Sequence, residues 1–334
     1  MPDPRFLLIR LGSLGDIINA LPAAAALRDT FPESRIDWAV EPRWKRLLAG
    51  NPDLNEIVFV DRKSAGGIAA TIRRLRAAKY TCTIDFQALY KSALLGFFSG
   101  APRRIGFTSE YAREGFAARF YTDRLNPRGP HKVDHNLTLV GSAGAATSKA
   151  RYPISVRPEE ESEVATELEK HNLKDFFVMS PGGGWRSKCW PPERYGELHG
   201  KIVSRFGWRG VIGFGPGEEN LAREVVSAAG DSSPVAIPMG LGPLIALLRR
   251  AKFVVAADTG PLHLACALGV PVVGLYGPTD PSRNGPFSAD DVVVRNLRLA
   301  ETDYRRGKTY ARSMLSISVD QVFEAVQRRL ETSS

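Results

Sequence analysis

Short apolar runs alternate with longer amphipathic stretches along the whole chain. The runs Phe6 to Leu11, Arg35 to Val40, Ile57 to Val60 and Thr81 to Asp85 predict strands, and helical spacing over 16–29, 66–78 and 88–99 fills the intervals. Strands that read as unbroken apolar runs and are followed by helices belong to parallel sheets covered on both faces, so the first half reads as a doubly wound α/β sheet. The alternation then lapses. Between Asp123 and Pro153 the chain is rich in Pro, Gly, Ser and Ala, with Asn126-Pro127-Arg128-Gly129-Pro130 and Gly141-Ser142-Ala143-Gly144, which reads as a linking region. The pattern restarts with strands at Phe176 to Ser180, Val211 to Phe214, Val235 to Ile237, Phe253 to Ala256 and Val272 to Leu275. Helices are predicted over 192–206, 218–229, 241–250 and 261–268. The fold class expected is therefore α/β, with two Rossmann-like domains in tandem over 1–152 and 153–318. A last helix over 319–331, in the closing segment 319–334, is placed to cross back to the first domain. Ligands of such sheets bind at the carboxyl ends of the strands, so an interdomain cleft is the expected site.

Composition agrees with two domains: 334 residues at about 150 per domain. With 43% hydrophobic and 24% charged residues the chain is of globular type, which excludes disordered and fibrous classes. Apolar stretches such as Ala93 to Phe98 and Phe253 to Ala257 fall far short of the roughly 20 residues of a membrane span. Phe6 to Ile9, between Arg5 and Arg10, is too short for the core of a signal peptide, so a cytoplasmic location is expected. The three cysteines, Cys82, Cys189 and Cys266, are spaced for neither a disulfide framework nor a metal site and read as reduced packing residues.

Charge changes the picture more. The net +9 is confined to the first half: residues 1–152 hold 23 Lys and Arg against 14 Asp and Glu, whereas 153–334 hold 22 of each. A field of that sign attracts phosphates, acidic sugars and anionic lipid. No helix-turn-helix, zinc-finger or aromatic-basic strand signature accompanies it, so an anionic membrane-bound substrate ranks above nucleic acid.

Three loops carry candidate chemistry. After the first strand comes Arg10-Leu11-Gly12-Ser13-Leu14-Gly15-Asp16, where the glycines permit a tight strand-to-helix turn. The G-x-x-G spacing is not a dinucleotide fingerprint, although Glu41 sits roughly where a ribose-binding acid would. Asp16 is either a helix N-cap or a general base at a cleft mouth. The second domain opens with Ser180-Pro181-Gly182-Gly183-Gly184-Trp185-Arg186-Ser187-Lys188-Cys189-Trp190-Pro191, a glycine run suited to a backbone nest for anionic oxygens or to a plain surface loop. It lacks Walker A spacing. Ala257-Asp258-Thr259-Gly260-Pro261-Leu262-His263 puts a glycine turn and a proline at a helix start, where exposed N–H groups and the positive helix end suit a pyrophosphate. Asp258 reads as a cap or a sugar contact, and His263 as a phosphate contact or a packed residue. His131 and His135 do not form a zinc motif, because Lys132 stands where the zincin glutamate belongs. No metal and no cofactor is expected, so a diphosphate leaving group falls to backbone dipoles and cations such as Lys188.

Taken in order, these segments together with Asp85-Phe86-Gln87-Ala88-Leu89-Tyr90-Lys91-Ser92 and Gly277-Pro278-Thr279-Asp280-Pro281 resemble the bacterial ADP-heptose:lipopolysaccharide heptosyltransferases. The matches run from residue 5 to about 320. Trp38-Ala39-Val40-Glu41 and Tyr111-Ala112-Arg113-Glu114 look nearest to the type that adds the first heptose to Kdo. The resemblance implies a GT-B fold and inverting transfer of heptose from ADP-L-glycero-β-D-manno-heptose to the Kdo inner core on lipid A. It places Asp16 on the catalytic base and Lys188 on the phosphate-binding lysine. Gly183, Gly184, Glu219, Met239, Asp258, Thr259, Gly260 and His263 fall on the donor site; Gly15, Gln87, Lys91, Arg113 and His131 fall on the side of the acidic acceptor. Expected partners are the ADP-heptose donor and an anionic Kdo-lipid A acceptor, met by a monomer at the inner face of the cytoplasmic membrane, with no nucleic acid. Two departures stand out: Glu301 to Ser313 lacks the cysteines many relatives carry there, and Ser180 to Trp185 lacks the threonine-rich form of the loop. Transfer to a later core heptose or to a protein hydroxyl is the alternative within the class. An NAD-dependent oxidoreductase and a non-catalytic ADP-sugar-binding protein are the alternatives outside it.

Overall fold

A computed structural model describes residues 3–61, 64–147, 150–296 and 307–332. The chain divides into two compact units, Met1–Ser155 and Val156–Ser334. Residues 297–306, which include the first part of the cysteine-free segment Glu301 to Ser313, lie outside the described residues.

The first unit is built on β1 (Arg5–Ile9), β2 (Arg35–Val40), β3 (Glu56–Phe59), β4 (Cys82–Asp85), β5 (Arg103–Phe107) and β6 (Asp123–Leu125), in the order β3-β2-β1-β4-β5-β6 with every pair parallel. Leu7, Leu8 and Ile9 of the central strand are fully buried, because helices cover both faces of the sheet. In register, Leu8 lies opposite Trp38 on one side and Ile84 on the other. The helix expected over 16–29 is two helices, Leu14–Ile18 and Leu21–Thr30. Pro22 in the first turn of the second, where its missing N–H costs nothing, marks the restart.

The expected linking region is a correction. Residues 123–142 form β6 and the helix Lys132–Ser142, which buries Val133, Asn136, Leu139 and Val140 at helical spacing. Asn136 Nδ2 donates to the Asn19 carbonyl at 2.9 Å, and the Pro and Gly residues that suggested a linker flank this helix or, as with Gly141, sit in its last turn. Residues 151–155 are tied to the first unit as well. Arg151 pairs with Asp29 at 2.6 Å and with both oxygens of Asp53 at 2.8 Å, and Ser155 Oγ donates to the Ala49 carbonyl at 2.5 Å.

The second unit repeats the design with β7 (Phe176–Ser180), β8 (Arg209–Phe214), β9 (Val235–Pro238), β10 (Val254–Ala257), β11 (Val272–Tyr276) and β12 (Val292–Arg295), all parallel in the order β12-β11-β10-β7-β8-β9. Its core includes stacked Phe177 and Phe253 rings 5.0 Å apart and the buried pair Trp190 and Tyr195. The acidic run 159–163 opens the helix Pro158–Lys170, where the Glu160 carboxylate accepts from the Arg157 backbone N–H at 3.0 Å. The closing helix Val319–Glu331, given the option of crossing back by the sequence reading, is part of this unit. It packs on β11, β12 and the helix Pro192–Phe206, and Arg329 pairs with Asp291 at 2.9 Å.

Both sheets reverse direction next to their founding strand, between β1 and β4 and between β7 and β10. Connections leave these neighbours toward opposite faces, so their carboxyl-end loops part and leave a crevice for a ligand. Among the described residues, no helix is long and apolar enough to cross a membrane.

Candidate functional site

At the reversal of the first sheet, Ser13 stands at the start of the helix Leu14–Ile18 and Asp16 lies in its first turn. Asp16 does not cap the helix. Its carboxylate is held by side chains: Oδ1 accepts from Lys132 Nζ at 2.6 Å, Oδ2 accepts from Ser13 Oγ at 3.0 Å, and Arg10 pairs with the same oxygen. Arg10 is buried and fixed through Nη1, which donates to the Phe86 carbonyl at 2.8 Å. Burial alone would raise the Asp16 pKa. The charges of Arg10 and then Lys132, with hydrogen bonds from Lys132 and Ser13, outweigh it and hold the carboxyl well below the usual range.

The facing loop after β4 is organised by Asp85, whose Oδ1 accepts from the Gln87 and Ala88 N–H groups at 2.8 and 3.1 Å and whose Oδ2 accepts from Tyr121 at 2.7 Å. Burial pushes the Asp85 carboxyl up despite these bonds. Gln87 is buried, and its Oε1 accepts from the Leu11 N–H at 2.7 Å, so it ties the two loops together. Gly15 is buried inside the short helix. Lys91 and Arg113 are exposed. His131 is buried at the start of the helix Lys132–Ser142, where Nδ1 accepts from the Val133 N–H at 3.1 Å. That cap orients the next residue, Lys132, which reaches Asp16. Sequence reasoning missed Lys132 and weighed it only as a defect in a zinc motif.

At the reversal of the second sheet, the loops after β7 and β10 meet. Lys188 Nζ donates to Asp258 Oδ2 at 2.7 Å and to the Asp258 carbonyl at 3.2 Å, and it lies 4.4 Å from the centre of the Trp185 ring. Asp258 Oδ1 is 3.1 Å from His263 Nε2. Asp258 is nearly buried. Burial would raise its pKa, but the hydrogen bond and charge of His263, followed by those of Lys188, hold it far below the ordinary value. Thr259 stands at the N-cap of the helix Gly260–Ala267, yet its hydroxyl donates to the Ala257 carbonyl at 3.1 Å and caps nothing. Without a side-chain cap, the positive helix end at Gly260 offers N–H groups to an anion. Gly183 sits where a Cβ would come within 3.2 Å of Thr259 Cγ2 and 3.3 Å of Cys189 Sγ, so glycine is what lets the loops close on each other. Beside Gly184 there is open space.

Further along the same edge, the Met239 N–H donates to the Phe214 carbonyl at 2.9 Å and its side chain covers Gly213. Glu219 is exposed, with its carboxylate accepting from the Gly217 N–H at 2.9 and 3.1 Å. Its neighbour Glu218 is the half-buried acid that faces the glycine run: one oxygen accepts from the Gly215 N–H at 3.1 Å and the other crowds Gly182. Glu218, Gly182 and Phe214 line a small recess there. The two acids differ only in helical phase, which the sequence after Gly217 does not reveal.

Each unit thus presents a set of charged groups at the carboxyl edge of a parallel sheet, the placement expected for nucleotide-dependent transfer chemistry. Residues 68–313 match the family model described as glycosyltransferase family 9 (heptosyltransferase). The chain belongs to this family. Over 306 residues, 86% of the chain and 82% of the relative, it is 30% identical to lipopolysaccharide heptosyltransferase 1 of Pseudomonas aeruginosa. Its fold matches a glycosyl transferase family 9 structure from Veillonella parvula with a TM-score of 0.84 at 23% identity, covering 99% of both chains. The E. coli heptosyltransferase WaaC, solved with ADP, aligns with a TM-score of 0.76 at 25% identity over 98% of this chain and 99% of that one. The protein is a glycosyltransferase of the lipopolysaccharide heptosyltransferase family with the GT-B type of α/β fold, and the dehydrogenase reading falls. Glu41, which had kept that reading open, pairs with Arg43 at 2.9 Å.

Proposed function

We propose that this heptosyltransferase moves heptose from ADP-L-glycero-β-D-manno-heptose to the Kdo inner core of lipopolysaccharide with inversion at the anomeric carbon. Residues 1–152 hold the acceptor and 153–318 the donor. The observation that carries this reading is the arrangement of Lys188, Asp258 and His263 at an uncapped helix start, where the second sheet reverses. A diphosphate entering there takes the Lys188 ammonium in place of the Asp258 carboxylate and accepts from N–H groups at Thr259 and Gly260. Asp258 is then free for a sugar hydroxyl. The E. coli WaaC structures with ADP and with ADP-2-deoxy-2-fluoro heptose support a nucleotide-sugar donor, and the 30% identity to a heptosyltransferase 1 supports the first core position. Gly183, Gly184, Met239 and Glu219 remain with the donor in this reading. Glu218 joins them as the acid nearest the glycine run.

Asp16 is the proposed base. The acceptor oxygen attacks the anomeric carbon as the bond to the diphosphate breaks, its proton passes to Asp16, and ADP departs. A carboxylate of low pKa is a weak base, but the attacking oxygen becomes strongly acidic as its new bond forms, so a late transfer to Asp16 runs downhill. Arg10 and Lys132 keep Asp16 ionised before that moment. Gly15, Gln87, Lys91, Arg113 and His131 are assigned to the acceptor side, as is the positive surplus of the first half. The enzyme acts as a monomer on the inner face of the cytoplasmic membrane. The test is incubation with ADP-heptose and acceptors truncated at successive core positions, reading product mass and anomeric configuration. Addition to the Kdo-terminated acceptor alone is expected; addition only to a heptose-bearing acceptor or a protein would overturn the assignment.

A further inference from the structure

Half of the large hydrophobic side chains left exposed among the described residues gather on one region of the first unit. Tyr90, Phe97 and Phe98 project from the helix Tyr90–Phe98, and Phe116 from the turn Gly115–Phe120; Tyr90, Phe97 and Phe116 are 44%, 46% and 52% exposed. Single exposed rings are ordinary, but these are contiguous. Phe120 joins them: its ring centre lies 5.5 Å from that of Tyr90 and 5.6 Å from that of Phe97, and Tyr90 and Phe116 are 5.8 Å apart.

Cations are laid over the rings. The Arg119 guanidinium sits 4.6 Å from the Phe116 ring centre and that of Arg104 5.6 Å from Phe97. Beside the patch is a recess lined by Thr108, Phe116, Arg119, Arg124 and Asn126. Two acids share the region, Glu110 at the recess and Glu114, whose carboxylate accepts from the Tyr90 N–H at 2.6 Å. Aromatic rings with arginines are enriched in protein interfaces and suit the headgroup boundary of a bilayer alike, so the sign of the surrounding charge decides between them. The surplus of nine positive charges in residues 1–152 has the sign that anionic lipid attracts.

We propose that this aromatic and cationic patch docks the enzyme on an anionic lipid bilayer, with Phe97, Phe98 and Phe116 in the headgroup boundary and Arg119 on lipid phosphate. The inference deepens the proposed function, whose acceptor is anchored in a membrane, and its primary test does not use turnover. Full-length protein is co-sedimented with phosphatidylcholine vesicles and with vesicles of phosphatidylcholine and phosphatidylglycerol. Wild type is expected to partition onto the anionic vesicles only. Arg119→Gln should lower that partitioning about fivefold, from one charge near the surface, and Phe97→Ser with Phe116→Ser about tenfold or more. ADP affinity and transfer to a deacylated, water-soluble acceptor should stay at the wild-type level in both, which shows that the variants are folded. Equal partitioning of variants and wild type, or equal binding to zwitterionic vesicles, overturns the proposal. So does a wild-type dimer that the double variant dissolves, since the patch would then join two copies of the chain. If vesicle binding behaves as expected but no acceptor gains heptose, the docking surface stands and the proposed function fails.

Discussion

Replacing Lys188 by Met tests the donor half through a competition visible in the geometry. The ammonium is only 15% exposed and the carboxylate of Asp258 4%, so their 2.7 Å contact is screened far less than a surface pair. A charged hydrogen bond to a diphosphate is worth about 1.5 to 3 kcal/mol, which alone would mean a loss of roughly ten- to 150-fold in ADP affinity. Asp258 already holds the lysine before ADP arrives, so the diphosphate gains only the difference, and Lys188→Met should weaken ADP about tenfold. Asp258→Asn turns the same competition around. It releases the lysine and removes a negative charge close to the diphosphate, so ADP should bind as tightly as to wild type or a few-fold tighter while sugar transfer falls. Titration calorimetry with ADP, beside thermal melts to confirm folding, reads both. ADP affinity within twofold of wild type for Lys188→Met, or equal weakening by Asp258→Asn, would refute the reasoning.

Other outcomes follow from the charges in the structure. Asp16→Asn should lower turnover by roughly 10² to 10⁴-fold with ADP affinity unchanged; turnover near wild type removes the residue from the proton step. Because Arg10 and Lys132 depress the Asp16 pKa, its ionised form, and the stability that goes with it, is fully present above the ordinary carboxylate range and lost only as pH falls below it. The wild-type pH–rate profile should therefore show no acid limb from Asp16 above about pH 5, and Lys132→Met should move such a limb upward. A profile that does not move would separate Lys132 from Asp16. His199 is fully buried, with Nε2 accepting from the Gly210 N–H at 3.0 Å; burial, with a smaller push from Arg209, lowers its pKa from 6.5 to about 4. The unfolded chain takes up that proton first as pH falls, so about 2 kcal/mol of stability should be lost between pH 7 and pH 5. Urea unfolding at the two pH values measures it, and His199→Gln should flatten the slope.

The central strands were legible because burial on both faces leaves no room for polar alternation: β1, β4, β7, β10 and β11 were read within two residues of their bounds. β5, β6 and β12 escaped. β5 and β6 carry charge where the pattern looks for apolar residues, as in Arg103 and Arg104 of β5, paired with the Asp123 carboxylate and the Phe120 carbonyl, and in Asp123 and Arg124 of the edge strand β6; β12 is apolar, but its run Val292-Val293-Val294 is only three residues long between Asp291 and Arg295. The helix Lys132–Ser142 was hidden by the Pro and Gly residues on either side, although its buried positions keep helical spacing. Among the candidate site residues, Asp16, Lys188 and Asp258 stood out because glycine loops after strands advertise a crevice. Lys132 did not, since its contact with Asp16 spans 116 positions and no local pattern encodes it. Glu218 and Glu219 are separated only by which side of a turn faces the glycine run, a matter of backbone geometry.

The most direct measurement is of stoichiometry: purified enzyme, ADP-heptose and a Kdo-terminated lipid A acceptor, with released ADP and acceptor mass followed together. One heptose gained by the acceptor for each ADP released is the predicted result. Release of ADP without a heavier acceptor, or no ADP at all, would contradict it.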